Sequence, residues 1–134
     1  MRWETLRPEI RAAAEAAQEK LAEDITALKL PGPGAFAEYF LLCSGQSVPQ
    51  LQAIAEAIEE RLGRLGMPLA HREGKPGAEW ILLDYGRFVV HIFSQRARQY
   101  YDIERLWRGA ERFELSAPGR SASPPDAAES SAPS

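Results

Sequence analysis

The side chains in this 134-residue chain that could do chemistry are few. They are His71 and His91, the single cysteine Cys43, the acids Glu73, Glu79 and Asp84, and the segment Ser44-Gly45-Gln46-Ser47. A zinc site needs three or four clustered ligands, which two histidines and a cysteine inside the apolar run Y-F-L-L-C do not supply. His71 reads as a surface strand residue. Cys43 has no base beside it and reads as a buried hydrophobe; no spacing places either histidine next to an activated serine. The stretch C-S-G-Q-S has the outline of a phosphate cradle, a strand ending in glycine before a helix N-terminus. Nucleotidyl transfer would also need two or three carboxylates on adjoining strands to hold magnesium. The next strand offers only H-R-E, and Glu79 and Asp84 fall on opposite faces of theirs. The segment therefore reads as a turn and cap, and the chain as a non-enzyme without cofactor. A nucleotidyltransferase-like enzyme with an atypical metal site is the alternative.

Composition narrows the classes further. The hydrophobic fraction is 45% and the formal net charge −3, which suits one globular domain and lacks the basic excess of a nucleic-acid clamp; no direct DNA binding is expected. Arg96, Arg98, Arg105, Arg108 and Arg112 could touch RNA, but Asp102, Glu104 and Glu111 lie among them and favour a solvated face. No run reaches the roughly 18 apolar residues of a membrane helix. One cysteine and an N-terminus bearing Glu4, Glu9, Glu15 and Glu19 point to a reducing, cytoplasmic setting.

The elements that must position these residues read in the order α-β-β-α-β-β-β-α. Pro8 opens a helix with Ile10, Ala13, Ala14, Ala17 and Leu21 on one face. Strands follow at 24–30 and 38–44, the second apolar enough to be buried on both sides. Ser47 and Gln50 have the spacing of a capping box. The helix after them shows Leu51, Ile54, Ala55, Ile58, Leu62 and Leu65 on one face and stops at Gly66. Strands are expected at 69–73, 79–84 and 88–93, then a helix over 95–107 with Tyr100, Ile103, Leu106 and Trp107 inward. The expected class is α/β, a mixed α+β fold with a five-stranded mixed sheet. An ordered domain over 1–115 precedes a Ser/Ala/Pro-rich tail, 116–134, expected to be disordered.

A two-residue turn at Tyr85-Gly86 sets the expected hairpin register, with Asp84 opposite Arg87 and Trp80 opposite His91. One face then carries Ile81, Leu83, Phe88, Val90 and Ile92 and should receive the helices. The other carries Trp80, Leu82, Asp84, Arg87, Val89, His91 and Phe93. Aromatic anchors with register-fixing polar groups are what a protein-binding patch offers. An ordinary amphipathic face, partly covered by the N-terminal helix and closed by an Asp84–Arg87 ion pair, has the same composition.

The blocks A-E-Y-F-L-L-C-S-G, H-R-E-G, W-I-L-L-D-Y-G, V-V-H-I-F and Y-Y-D-I-E-R-L-W stand in order along the chain. Together they resemble the ribosomal silencing factor family (RsfS/Iojap) from about Ala13 to Trp107. The resemblance implies a nucleotidyltransferase-like fold without catalysis. It also implies binding to the large ribosomal subunit through its fourteenth ribosomal protein, blocked subunit joining and lower translation when nutrients are short, and a homodimer when free. The family's signature blocks fall on His71, Arg72, Glu73, on Trp80 to Gly86 including Tyr85, and on Val89 to Phe93, which places the mixed face inside the signature and favours the binding patch. Arg87 stands where the family commonly has an acid.

Overall fold

The computed structural model describes residues 3–31 and 37–115. After a 3-10 turn at Trp3–Thr5 come α1 (Pro8–Glu19), β1 (Glu23–Lys29), β2 (Tyr39–Gly45), α2 (Val48–Arg64) and β3 (His71–Glu73). Then follow β4 (Trp80–Asp84), β5 (Phe88–Ser94), α3 (Gln95–Tyr101), α4 (Ile103–Leu106) and β6 (Glu111–Glu114). The strands form one sheet in the order β3-β4-β5-β2-β1-β6. Only the central pair β2 and β5 is parallel.

The mixed α/β class is as expected, with six strands in place of five. The additional strand, E-R-F-E, lines up antiparallel against the outer side of β1. Its local signal is slight, because Phe113 is its one buried residue. Pairing with the free edge of β1, distant in sequence, makes it a strand. The Ser/Ala/Pro-rich segment, 116–134, lies outside the described residues.

Two apolar cores lie on opposite sides of the sheet. The larger joins α1 and α2 to Leu41, Cys43, Ile81, Leu83, Tyr85, Phe88, Val90 and Ile92. This is the aliphatic hairpin face, and it takes the helices as expected. The smaller core gathers Leu28, Phe40, Leu42, Val89 and Phe93 beneath Ala97, Ile103 and Trp107.

Local chemistry sets the helix ends. Ser47 Oγ accepts the Gln50 N–H at 3.2 Å. The Gln50 side chain accepts from the Gln46 N–H at 2.6 Å and donates to the carbonyls of Lys20 and Leu21 at 3.0 and 3.1 Å. One glutamine thus helps to start α2 and to satisfy the carbonyls that end α1. A Cβ at Gly45 would come within 2.8 Å of Leu51 Cδ2, so a larger residue there would push the Leu51 and Gln50 side chains aside. The segment is the turn and cap that its sequence suggests.

Leu21 departs from the expected helix face. α1 ends at Glu19, Leu21 sits at φ +64 and is 75% exposed, and Ala16 joins the core instead. A side chain in the left-handed region costs about 1–2 kcal/mol, offset partly by the entropy that glycine loses on folding. Leu21→Gly is therefore expected to stabilise the domain by about 1 kcal/mol, read from the urea midpoint at unchanged m-value. Leu65, likewise expected inward, caps α2 and is 56% exposed.

The C-terminal helix is two pieces. Asp102, at φ +47 and ψ +50, breaks it into α3 and the four-residue α4. The break turns α4 so that Ile103 and Trp107 pack on the sheet, while Tyr100 and Leu106 are 79% and 78% exposed. The expectation that Tyr100 and Leu106 face inward assumed a continuous 3.6-residue repeat, which the left-handed residue interrupts.

Candidate functional site: the rim of the second sheet face

The hairpin pairs Trp80 with Phe93, Leu82 with His91 and Asp84 with Val89. The turn is thus centred on Gly86 and Arg87, with the Tyr85 N–H bonded to the Phe88 carbonyl at 2.9 Å. This register is two residues from the expected one. Because side chains alternate with period two, a slip of two leaves each residue on its expected face. Strand β3 extends the same logic outward. His71 lies opposite Asp84 and Glu73 opposite Leu82, so both share the second face, while Arg72 lies opposite Leu83 and points to the helices. The strand is shorter than expected, His71–Glu73 alone.

The structure sorts the predicted site residues into distinct groups. His71, Glu73, Trp80, Leu82 and Asp84 make a half-open rim at the β3–β4 edge of the second face. His71 Nε2 is hydrogen-bonded to Glu73 Oε2, and Asp84 Oδ1 accepts the Gly86 N–H at 2.8 Å. That turn contact replaces the expected Asp84–Arg87 ion pair. Arg87 is exposed at the hairpin tip. Arg72 and Tyr85 belong to the other face. Arg72 donates to Glu59 at 2.5 Å and to Gln52 at 2.9 Å on α2. Tyr85 stacks on Phe88, and burial pushes its hydroxyl up to about 12.

Val89, His91 and Phe93 do not offer open contact area. They are 3%, 4% and 1% exposed. Their cover is the α3–α4 segment, not the N-terminal helix, which packs on the opposite side. The physical reason is apolar area: Val89 and Phe93 with Phe40 and Leu42 make a surface too greasy to leave in water, and Ala97, Ile103 and Trp107 close it.

His91 is held by aromatic rings. Phe40 meets it edge-on at 4.6 Å, and Phe93 stacks at 5.8 Å. The Trp80 indole N–H donates to Nδ1 at 3.1 Å. With Nδ1 accepting, the neutral ring carries its proton on Nε2, which is buried without a partner among the described residues. Burial lowers the His91 pKa to about 4. The unfolded chain takes up this proton near pH 6.5, so between those values the unfolded state binds more protons and stability falls as pH drops. The full contribution is present above about pH 6.5. We expect wild-type protein to lose about 2 kcal/mol more than His91→Phe between pH 7.5 and 5, measured by urea unfolding. Equal losses would mean that His91 charges freely in the fold.

The α3–α4 cover is tied down by Arg98. Expected as a possible RNA contact, it is only 9% exposed. Its guanidinium donates to the Asp24 carbonyl at 2.7 Å, Ser44 Oγ at 3.0 Å and Thr26 Oγ1 at 3.4 Å, and to both Glu104 carboxylate oxygens at 3.2 Å. Arg112 adds a 3.0 Å contact to Glu104. Burial alone would raise the Glu104 pKa, but the bonds and charge of Arg98 and Arg112 prevail and hold it below its usual value. No spacing rule marks this clamp, since its members come from β1, β2, α3 and α4. Cys43, in the larger core, is fully buried, and desolvation pushes its thiol up to about 12.

Comparison with known proteins decides the family. The family model described as "Ribosomal silencing factor during starvation" matches residues 4–134. The chain belongs to the ribosomal silencing factor family. A ribosomal silencing factor of Bacillus subtilis is 42% identical over 106 residues, 79% of this chain and 90% of that protein. A crystal structure from Chromobacterium violaceum superposes with TM-score 0.72 at 29% identity, covering 85% of this chain and 96% of that one. One from Bacillus halodurans gives TM-score 0.68 at 36% identity, covering 79% and 96%. A mouse protein named for mitochondrial assembly of the ribosomal large subunit is 28% identical over 67% of this chain and 41% of its own length. As a ribosomal silencing factor the chain is a regulator of translation.

Proposed function

We propose that this silencing factor docks the rim of its second sheet face on the large ribosomal subunit and keeps the small subunit from joining. The carrying observation is that Trp80 and Leu82 stay partly exposed beside the acids Glu73 and Asp84, although the centre of that face, Val89, His91 and Phe93, is closed. The two apolar groups supply contact area, and the acids suit a basic partner and govern encounter and register more than affinity. The partner proposed is the fourteenth protein of the large subunit and the proposed free state a homodimer, both as the family resemblance implies. Residues 1–115 carry the function, and it is exercised in the cytoplasm. Silencing is steric: no bond is made or broken, and no cofactor takes part.

The test is sedimentation of purified subunits. Protein should co-migrate with free large subunits and reduce the joined-ribosome peak. Unchanged joining at saturating protein would defeat the proposal.

A further inference from the structure

The C-terminal segment carries a second surface beside the rim. Of its arginines, Arg96 is paired with Glu79 at 2.5 Å, Arg98 is the buried clamp, and Arg112 is paired with Glu104 and Glu114 at 3.0 and 2.9 Å. Arg105 and Arg108 are different. Both are exposed, and neither side chain has an ion-pair or hydrogen-bond partner among the described residues.

In sequence, Asp102, Glu104 and Glu111 offset these charges, and the fold withdraws Glu104. Glu104 turns inward to Arg98 and Arg112. Glu111 lies on β6 directly opposite Lys29. Asp102 alone remains exposed on the α3–α4 segment. The same 100–108 segment also exposes Tyr100 at 79%, Tyr101 at 50% and Leu106 at 78%. The segment's aromatic part is continuous with the rim, since Tyr101 packs on Trp80 at 4.6 Å and Tyr100 meets Tyr101 edge-on at 5.0 Å.

We infer that Arg105 and Arg108, with Tyr100 on the same segment, contact the phosphate backbone of ribosomal RNA next to the protein dock. Arginine forks match phosphate oxygens bidentately, and an exposed tyrosine gives an unstacked base a face to lie on. A lipid surface would call for a denser basic cluster than two arginines in a chain of net charge −3. An acidic protein would be served by the charges but would make less use of the flat ring. The inference rests on the docking reading above, and it adds an RNA contact to that site.

The experiment uses intact large subunits. A photoreactive p-benzoylphenylalanine replaces Leu106 in one preparation and Glu73, on the rim, in another. The Leu106 probe should cross-link to ribosomal RNA and the Glu73 probe to ribosomal protein. In parallel, the Arg105→Gln/Arg108→Gln double variant should bind large subunits with a shallower salt dependence. Its log–log slope should fall in magnitude by about 1.5, at roughly 0.7–0.9 per phosphate contact. Between 50 and 200 mM salt, wild-type affinity should then drop about eightfold more than the variant's. Cross-linking of the Leu106 probe to protein alone, or to nothing, while the Glu73 probe reacts, overturns the inference and leaves the docking reading standing. An unchanged salt slope overturns it too. Silence from both probes, with no co-sedimentation, defeats both.

Discussion

Arg98→Met should lower the unfolding free energy by about 3 kcal/mol, one of the largest losses available to a single substitution in this domain. The guanidinium is 90% or more buried and reaches two backbone-anchored regions at once, the Asp24 carbonyl of β1 and Ser44 of β2, while holding Glu104 of α4. Removing one member of a buried ionic network leaves the others desolvated and short of partners, a loss of about 3–5 kcal/mol when complete and less here because Arg112 stays on Glu104. The methionine stem refills part of the volume, so cavity cost stays small. Arg98→Lys should fall between, since it keeps the charge and loses the fork. Urea unfolding at neutral pH reads the effect. Amide exchange should quicken first in α3 and α4, because the clamp fastens them to the sheet. A loss below about 1 kcal/mol, an ordinary neutral hydrogen bond's worth, would show that the apolar contacts of Ile103 and Trp107 hold the segment without it.

Trp80→Ala combined with Asp84→Ala should weaken binding to large subunits at least about 30-fold, the scale of a buried aromatic hot spot with its polar neighbour. Trp80 is the rim's largest apolar group, and three contacts orient it: the indole bond to His91, Phe93 at 5.2 Å and Tyr101 at 4.6 Å. A side chain already held in one pose loses little entropy on docking. The Asp84 part of the loss should appear mainly in the association rate and fade at high salt. Trp80→Phe should keep much of the affinity, as the ring survives while the N–H to His91 goes. Circular dichroism must show the double variant folded. Normal binding by a folded double variant would mean that the partner uses another face.

Both expectations depend on how the second face is shared between a closed centre and an open rim. The division by face was legible in the sequence. Trp80, Leu82, Asp84, Val89, His91 and Phe93 do lie on one side of the hairpin, and they do so even though the turn sits two residues from where Tyr85-Gly86 suggested. Alternation is a local property of extended chain, and an even slip preserves it. The division into covered and open was not legible. Val89 and Phe93 are as apolar as Leu82, and nothing in their spacing tells which of them a distant helix will reach.

Several departures share that cause. A left-handed Asp102 looks in sequence like one more helical acid, yet it decides that Tyr100 and Leu106 face water. Arg98 looks like its neighbour Arg96, and only the meeting of β1, β2 and α4 around it makes one a clamp and the other a surface charge. Strand β6 needed a free edge on β1 before E-R-F-E could be a strand.

The chain's sequence by itself determined the mixed α/β class, α2 with its Ser47 cap, the two hairpin faces and the signature blocks of the silencing factor family. These rest on short-range sterics and on periodicities of 2 and 3.6, which each segment carries alone. Tertiary structure decided the sixth strand, the burial of Val89, His91 and Phe93, the Arg98 clamp and the outward turn of Tyr100 and Leu106. Each of those requires groups far apart in the chain to meet, and apolar burial and charge desolvation depend on that whole assembly and not on local pattern.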